Sequence, residues 1–276
     1  MASQDLVKTT KDYYDSTDAD EFYYRVWGGE DIHIGIYDSP DEDIFTASAR
    51  TVKKMTSLLP SIDENTKVLD MGSGYGGSAR YLASEFGCHV TCLNLSDTEN
   101  ERNKARTKEK GLEHLIDIHS DNFEKMPYDD ESFDLIWMQD AILHSGNKEQ
   151  VFKEVQRVLK PKGHFIFTDP MQSDDCPDGV LEPILKRIHL GELGSVKRYK
   201  QLAAANGLKE VNILEMPDQL RQHYTNVLKG LNNQREELTE VCSETYLENM
   251  ESGLHHWIEG AKKGYLNWGI IHLQKP

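Results

Sequence analysis

Three glycines and an aspartate carry the clearest chemistry in this chain. In VLDMGSGYGGSARYLA, residues 68–83, Asp70 closes an apolar run. Gly72, Gly74 and Gly76 then alternate with other residues, Ser73 among them. Glycine accepts backbone conformations closed to other residues and lets a ligand approach the main chain. A short strand, this turn and a helix beginning near Ser78 form the context that a nucleotide-binding loop requires. The loop reads GSGYG with an acid two residues ahead, which favours S-adenosylmethionine over a dinucleotide. A dinucleotide fingerprint would use its third glycine to pack a helix capping a pyrophosphate.

Further candidates lie at the ends of the following apolar runs. LNLS places Asn94 and Leu95 where nucleotide-binding folds usually set an acid against the ribose hydroxyls; an amide can still accept from a hydroxyl. Asp121, Asn122 and Phe123 follow the next strand and offer an amide contact and a ring face to an adenine. Gln139 and Asp140 end FDLIWMQD, at the strand edge where open α/β sheets bind ligands. His144 titrates near neutrality and is the best candidate base for an acceptor, with Asp140 four residues earlier to orient it. The other reading is that His144 shapes the pocket while water takes the proton. Pro170 and Met171, after the fifth strand, present apolar surface to the acceptor side. Tyr23, Tyr24 and Trp27 offer aromatic faces to a sulfonium or an ammonium. Tyr23 joins His144 and Asp140 in the candidate catalytic set, Trp27 the donor side and Tyr24 the acceptor side. An acceptor carboxylate would need a cation. Arg25, Arg187, His189 and Arg198 are available, and Arg198 is assigned to the acceptor site; the sequence does not choose among them. No metal set is read.

The elements that must position these residues alternate. KVLDMG, HVTCLNLS, LIDIHSD, FDLIWMQD and HFIFTDP read as strands, separated by amphipathic stretches such as KEQVFKEVQRVLKPKG, whose helix Pro161 and Gly163 would stop. Such alternation predicts a parallel sheet with helices on both faces. The expectation is an α/β, Rossmann-like, seven-stranded, mostly parallel sheet with a helical lid or insertion. Residues 1–276 read as one domain: an aromatic-rich N-terminal segment and helix to residue 60, a cofactor-binding core over 61–170, and acceptor-side lid, helices and final strands over 171–276. KEVNILEM and YLNWGIIHLQKP read as the last strands.

Acids outnumber bases 47 to 31, giving a net charge of −16. That surface disfavours nucleic acid and anionic membranes as partners, and it suits a salty cell interior. The four cysteines form no CxxC pair and read as small buried residues in a reducing compartment. No stretch has the apolar length of a membrane span, and no secretory pattern opens the chain. A cytoplasmic enzyme acting on a small molecule is the expectation; the oligomeric state is left open.

VLDMGSGYGG, SDNF, SFDLIWMQDAILH and LKPKG resemble, in order and spacing, four motifs of the class I methyltransferases. YYRVWGGEDIHIGIY, AILHS, TDPMQSDD, ILKRIHLGELGS and GLHHWIEGAKKGYLNWGIIHLQKP resemble the sarcosine/dimethylglycine N-methyltransferases of glycine betaine synthesis, over nearly the whole chain. The phosphoethanolamine methyltransferases are a weaker likeness. The resemblance implies S-adenosylmethionine as donor, dimethylglycine and sarcosine as acceptors, and an osmoprotective role under salt stress. Two alternatives stand beside it: a methyltransferase for phosphoethanolamine or another small molecule, and a non-catalytic protein that binds S-adenosylmethionine.

Overall fold

The computed structural model describes residues 3–276. Seven apolar runs form one sheet: β1 (Lys67–Met71), β2 (His89–Asn94), β3 (Ile116–Ser120), β4 (Phe133–Gln139), β5 (Leu159–Gln172), β6 (Lys209–Glu215) and β7 (Leu266–Gln274). Their order is β3-β2-β1-β4-β5-β7-β6. β1 to β5 pair in parallel, and β7 runs antiparallel to both β5 and β6. The chain leaves β1 toward β2 and β3, then returns to the other side with β4. That reversal opens a crevice at the carboxyl ends of β1 and β4.

Alternate side chains of each strand serve opposite faces. Val68, Leu135 and Ile166 meet α3 (Ile44–Thr56) and α4 (Gly77–Phe86) through Val52, Met55, Ala79 and Leu82. Leu69, Ile136 and Phe165 meet α6 (Lys148–Val158) and α8 (Val196–Ala205) through Val151, Phe152, Tyr199 and Leu202. Cys88 and Cys92 are free thiols buried on the first of these faces. α5 (Asp97–Glu109) connects β2 to β3. Among the described residues no helix is long and apolar enough to cross a membrane.

A third apolar cluster joins helices that the sheet does not organise: α2 (Thr17–Phe22), α7 (Glu182–Arg187), α9 (Pro217–Asn233), α10 (Arg235–Leu238) and α11 (Glu244–Lys262). α1 (Ser3–Tyr14) precedes them. The aromatic stretch after α2 shows no period in sequence because it is a π-helical turn, Tyr23–Trp27, ended by Gly28 at φ 146°. A π turn changes the angular step between side chains, a device common at functional sites.

One boundary departs from expectation. α6 ends at Val158, and Leu159 is already extended and paired with Phe133, so Pro161 and Gly163 lie inside β5. The register there shifts between Phe133 and Leu135, an irregularity that leaves room for a proline in a sheet.

Candidate functional site

The glycine loop floors a cleft at the sheet's switch point. Gly72, Gly74 and Gly76 have φ of 75°, 50° and 76°, in the left-handed region that glycine enters without penalty. A Cβ on Gly72 would stand 2.4 Å from the Cβ of Ala141, and one on Gly74 3.1 Å from Cδ1 of Ile32. The successive strand ends add Asn94, Leu95, Asn122, Phe123, Gln139 and Asp140 to the walls. A smaller recess beside the loop holds Asp70 and Ser73. Asp121 stands outside these walls; its carboxylate accepts from the Asn122 N–H at 2.8 Å.

Several buried polar atoms around this cleft lack partners: Asp70 Oδ2, Ser73 Oγ and Gln139 Nε2. Burial pushes the Asp70 carboxyl up to about 7. Unpaired buried groups cost free energy until a ligand or water meets them. The acid missing at the end of β2 comes one helical turn later. Glu99 lines the cleft, accepts from Asn94 Nδ2 at 2.8 Å, and is pushed up to about 7 by burial. The sequence reading passed over it because it opens a polar helix. It also passed over α1, whose Val7, Thr10, Lys11 and Tyr14 close the cleft.

Tyr14 and His144 border both this cleft and a second, aromatic chamber. The Tyr14 hydroxyl lies 3.0 Å from His144 Nε2. Burial, with help from the Lys148 charge, pushes His144 down to about 4, while burial holds the Tyr14 hydroxyl well above its usual range. The pair is therefore a neutral phenol and a neutral imidazole sharing one hydrogen bond.

Asp140 does not orient His144. Its Oδ2 accepts from the Ile34 N–H at 2.6 Å, and its Oδ1 from Thr168 Oγ1 at 2.7 Å and Trp268 Nε1 at 2.8 Å. These three donors hold it at φ 48°, a conformation that few residues other than glycine adopt. Asp140 thus ties the stretch after the π turn to β5 and β7.

The remaining candidates divide. Tyr23, Trp27 and Pro170 line the inner chamber, with Tyr224, Met250 and Trp257. Trp27 therefore lines the chamber and not the glycine-loop cleft. Met171 faces away into the core, because neighbours on a strand point to opposite sides. Tyr24 turns toward α5, where the Arg102 guanidinium sits 4.5 Å above its ring. Arg25 pairs with Glu21 and Arg198 with Glu149, both partly exposed, so Arg198 is spent outside the chamber. His189 stands at the outer rim, and Arg187 lines both the outer and inner parts. Tyr224, Met250 and Trp257 gave no sequence signal, since a helical stripe of large residues reads as ordinary packing.

Known proteins are similar to this chain in sequence and fold. The methyltransferase domain family matches residues 69–167. A sarcosine/dimethylglycine N-methyltransferase of Aphanothece halophytica is 50% identical over 277 residues, covering 100% of both chains. One from Halorhodospira halochloris is 50% identical over 98% of this chain and 96% of its own. A solved structure from Galdieria sulphuraria superposes with a TM-score of 0.89 at 41% identity, over 95% of this chain and 98% of that one. The fold, the glycine loop and this likeness along the full chain together mean that the chain belongs to the sarcosine/dimethylglycine N-methyltransferases.

Proposed function

We propose that this enzyme transfers a methyl group from S-adenosylmethionine to the nitrogen of dimethylglycine, and of sarcosine before it, to give glycine betaine in the cytoplasm. The observation that carries the reading is the Tyr14–His144 pair on the border between a glycine-floored cleft and an aromatic chamber. The cleft suits the donor. Gly72 and Gly74 leave main chain open to it, Asn94 and Glu99 suit ribose hydroxyls, and the orphaned atoms of Asp70, Ser73 and Gln139 suit the polar amino-acid end. When bound, S-adenosylmethionine supplies a methyl group already activated on a sulfonium.

The chain's own residues then align the amine and exclude water, effects worth up to about 7–11 kcal/mol. An ammonium has no lone pair, so the acceptor must react as free amine. His144, pushed down to about 4, is a poor base at neutral pH; the proton therefore leaves to solvent before the amine is enclosed. His144 instead fixes the Tyr14 hydroxyl, whose oxygen keeps lone pairs for the N–H of sarcosine. The rings of Tyr23, Tyr224 and Trp257 face the developing ammonium, each worth about 0.5–2 kcal/mol. Pro170 offers methyl groups an apolar wall. Asp169 does not serve a primary amine, because it is fully buried against Tyr199 and the Leu143 N–H and lines neither the cleft nor the chamber. N-methylated glycines should therefore exceed glycine in kcat/KM.

Labelled S-adenosylmethionine offered with glycine, sarcosine, dimethylglycine and phosphoethanolamine tests the reading. Betaine from dimethylglycine is expected. Methylation of phosphoethanolamine alone, or of none, overturns it.

A further inference from the structure

Ten arginines occur in the chain. Nine sit within 4.0 Å of a carboxylate: Arg25 with Glu21, Arg50 with Glu42, Arg80 with Glu30, Arg102 with Asp20, Arg106 with Glu109, Arg157 with Glu154, Arg198 with Glu149, Arg221 with Asp218 and Arg235 with Glu244. Among the described residues Arg187 alone has no such partner, in a protein with 47 acids. Its one hydrogen bond runs from a terminal nitrogen to Met250 Sδ at 3.2 Å. A thioether is a weak acceptor, and a guanidinium carries five N–H donors in a planar fork. Arg187 is half-buried in the chamber wall, so most of that fork is left without an acceptor.

The surroundings keep it that way. Burial raises the hydroxyls of Tyr23, Tyr224 and Tyr246, and the Arg187 charge partly offsets this at each, which locates the charge among the rings. The inner chamber holds no other permanent cation among the described residues, since His144 is neutral. α11 is cut back to receive the guanidinium: a Cβ on Gly253 would lie 2.5 Å from Arg187 Nε. Gly253 is buried within a helix, where glycine is costly, so the gap serves something other than helix stability.

We infer that Arg187 is the carboxylate clamp of the acceptor site, holding an α-amino acid carboxylate by its guanidinium fork so that the amine lies toward Tyr14 and His144, with Gly253 as its positioning residue. A fork on a carboxylate adds direction to charge, which a point cation does not. It selects glycine derivatives from amines of similar bulk that lack the acid. The inference rests on the proposed acceptor and adds how that acceptor is recognised.

The test compares dimethylglycine with N,N-dimethylethanolamine, which carries the same amine without the carboxylate. Wild-type enzyme, Arg187→Gln, Arg187→Lys and Gly253→Ala are assayed at saturating donor, and S-adenosylhomocysteine affinity is measured for each. In Arg187→Gln, KM for dimethylglycine should rise about 30-fold or more, the loss expected for charge-assisted hydrogen bonds. Its kcat/KM for dimethylethanolamine and its S-adenosylhomocysteine affinity should stay within about threefold of wild type, so discrimination collapses. Arg187→Lys should recover part of it. Gly253→Ala keeps the arginine, should melt no earlier than wild type, and should still raise KM for dimethylglycine. A folded Arg187→Gln that discriminates as wild type does overturns the clamp alone. If that variant fails to fold, unchanged KM in Gly253→Ala overturns it. A wild-type enzyme inactive on sarcosine and dimethylglycine overturns the proposed function itself, and is read before any variant.

Discussion

The glycine-loop cleft and the aromatic chamber adjoin, yet they are built by different rules. The cleft is made of strand ends: Gly72 and Gly74 after β1, Asn94 at the end of β2, Asn122 after β3 and Gln139 at the end of β4. Each sits within a few residues of an apolar run, and the glycines leave main chain open to the cleft. The chamber is made of side chains from α1, the π turn, α7, α9 and α11: Tyr14, Tyr23, Arg187, Tyr224 and Trp257. No two of these helices are joined by a short motif. Recognition by backbone at strand ends is tied to the sheet. Recognition by side chains on added helices can change while the sheet stays as it is.

That comparison breaks first at Gly74. Gly74→Val puts a β-branched residue at φ 50°, and strain plus lost backbone approach should cut S-adenosylhomocysteine affinity by about 100-fold or more. Calorimetry on a folded variant with unchanged affinity would remove the backbone from donor recognition. Next come the two residues on the border. Tyr14→Phe and His144→Ala should each lower kcat by about 10- to 100-fold, within the range of a positioning hydrogen bond and alignment. The double variant should lose little more, because the two act as one unit; additive losses would mean that they serve separate sites. On the cleft side, Glu99→Gln should weaken donor binding about tenfold, the worth of one charged hydrogen bond, with KM for dimethylglycine unmoved. A shift in acceptor KM instead would blur the two regions into one.

A smaller effect concerns stability. Asp70 and Glu99 near 7, and Asp169 near 8, keep protons in the folded state that unfolded carboxyls have lost. Between pH 6.5 and 8 the folded chain therefore binds more protons than the unfolded one, and stability falls as pH rises, by up to about 1.4 kcal/mol per unit for each group still protonated. His33, raised by its Asp31 partner in spite of burial, acts in the same direction. His144, His223 and His272, depressed to about 4, 3 and 4, oppose the trend near pH 6.5 and stop doing so as unfolded histidine finishes losing its proton, so the fall is clearest in the upper part of the window. The Tm of donor-free enzyme should drop across that window, and Glu99→Gln should flatten the slope; a rising Tm contradicts the assignment. Smallest of all, Arg198→Ala and Tyr24→Phe, outside both regions, should leave kcat and KM within about twofold, as surface changes usually do.

The sheet was legible because its central strands β1, β2 and β4 are short apolar runs bounded by turn residues, and β7 showed as a final apolar segment. The cleft was legible where chemistry follows a strand directly, as at Asp70, Asn94 and Gln139. It failed at Glu99, which reaches the cleft from a helix, and at Asp140, whose proximity to His144 in sequence hid its bonds to Ile34, Thr168 and Trp268. On the acceptor side the sequence offered four cations for one role. Only pairing in three dimensions separates them, since Glu21 and Glu149 take two, the rim takes His189, and Arg187 is left. Pro170 and Met171 were read as one patch, and strand alternation splits them.

Tyr14 sits at the end of α1, and earlier turns of the same helix wall the cleft. One helix thus walls both compartments. A donor exit by a swing of α1 would lift Tyr14 off His144 and open the acceptor chamber whenever the donor cleft empties. Successive methylations of one amine would then be separate visits, with the product of sarcosine methylation released and rebound between them. Free dimethylglycine should then accumulate in the medium before betaine does, and added solvent viscosity should slow turnover on both acceptors alike.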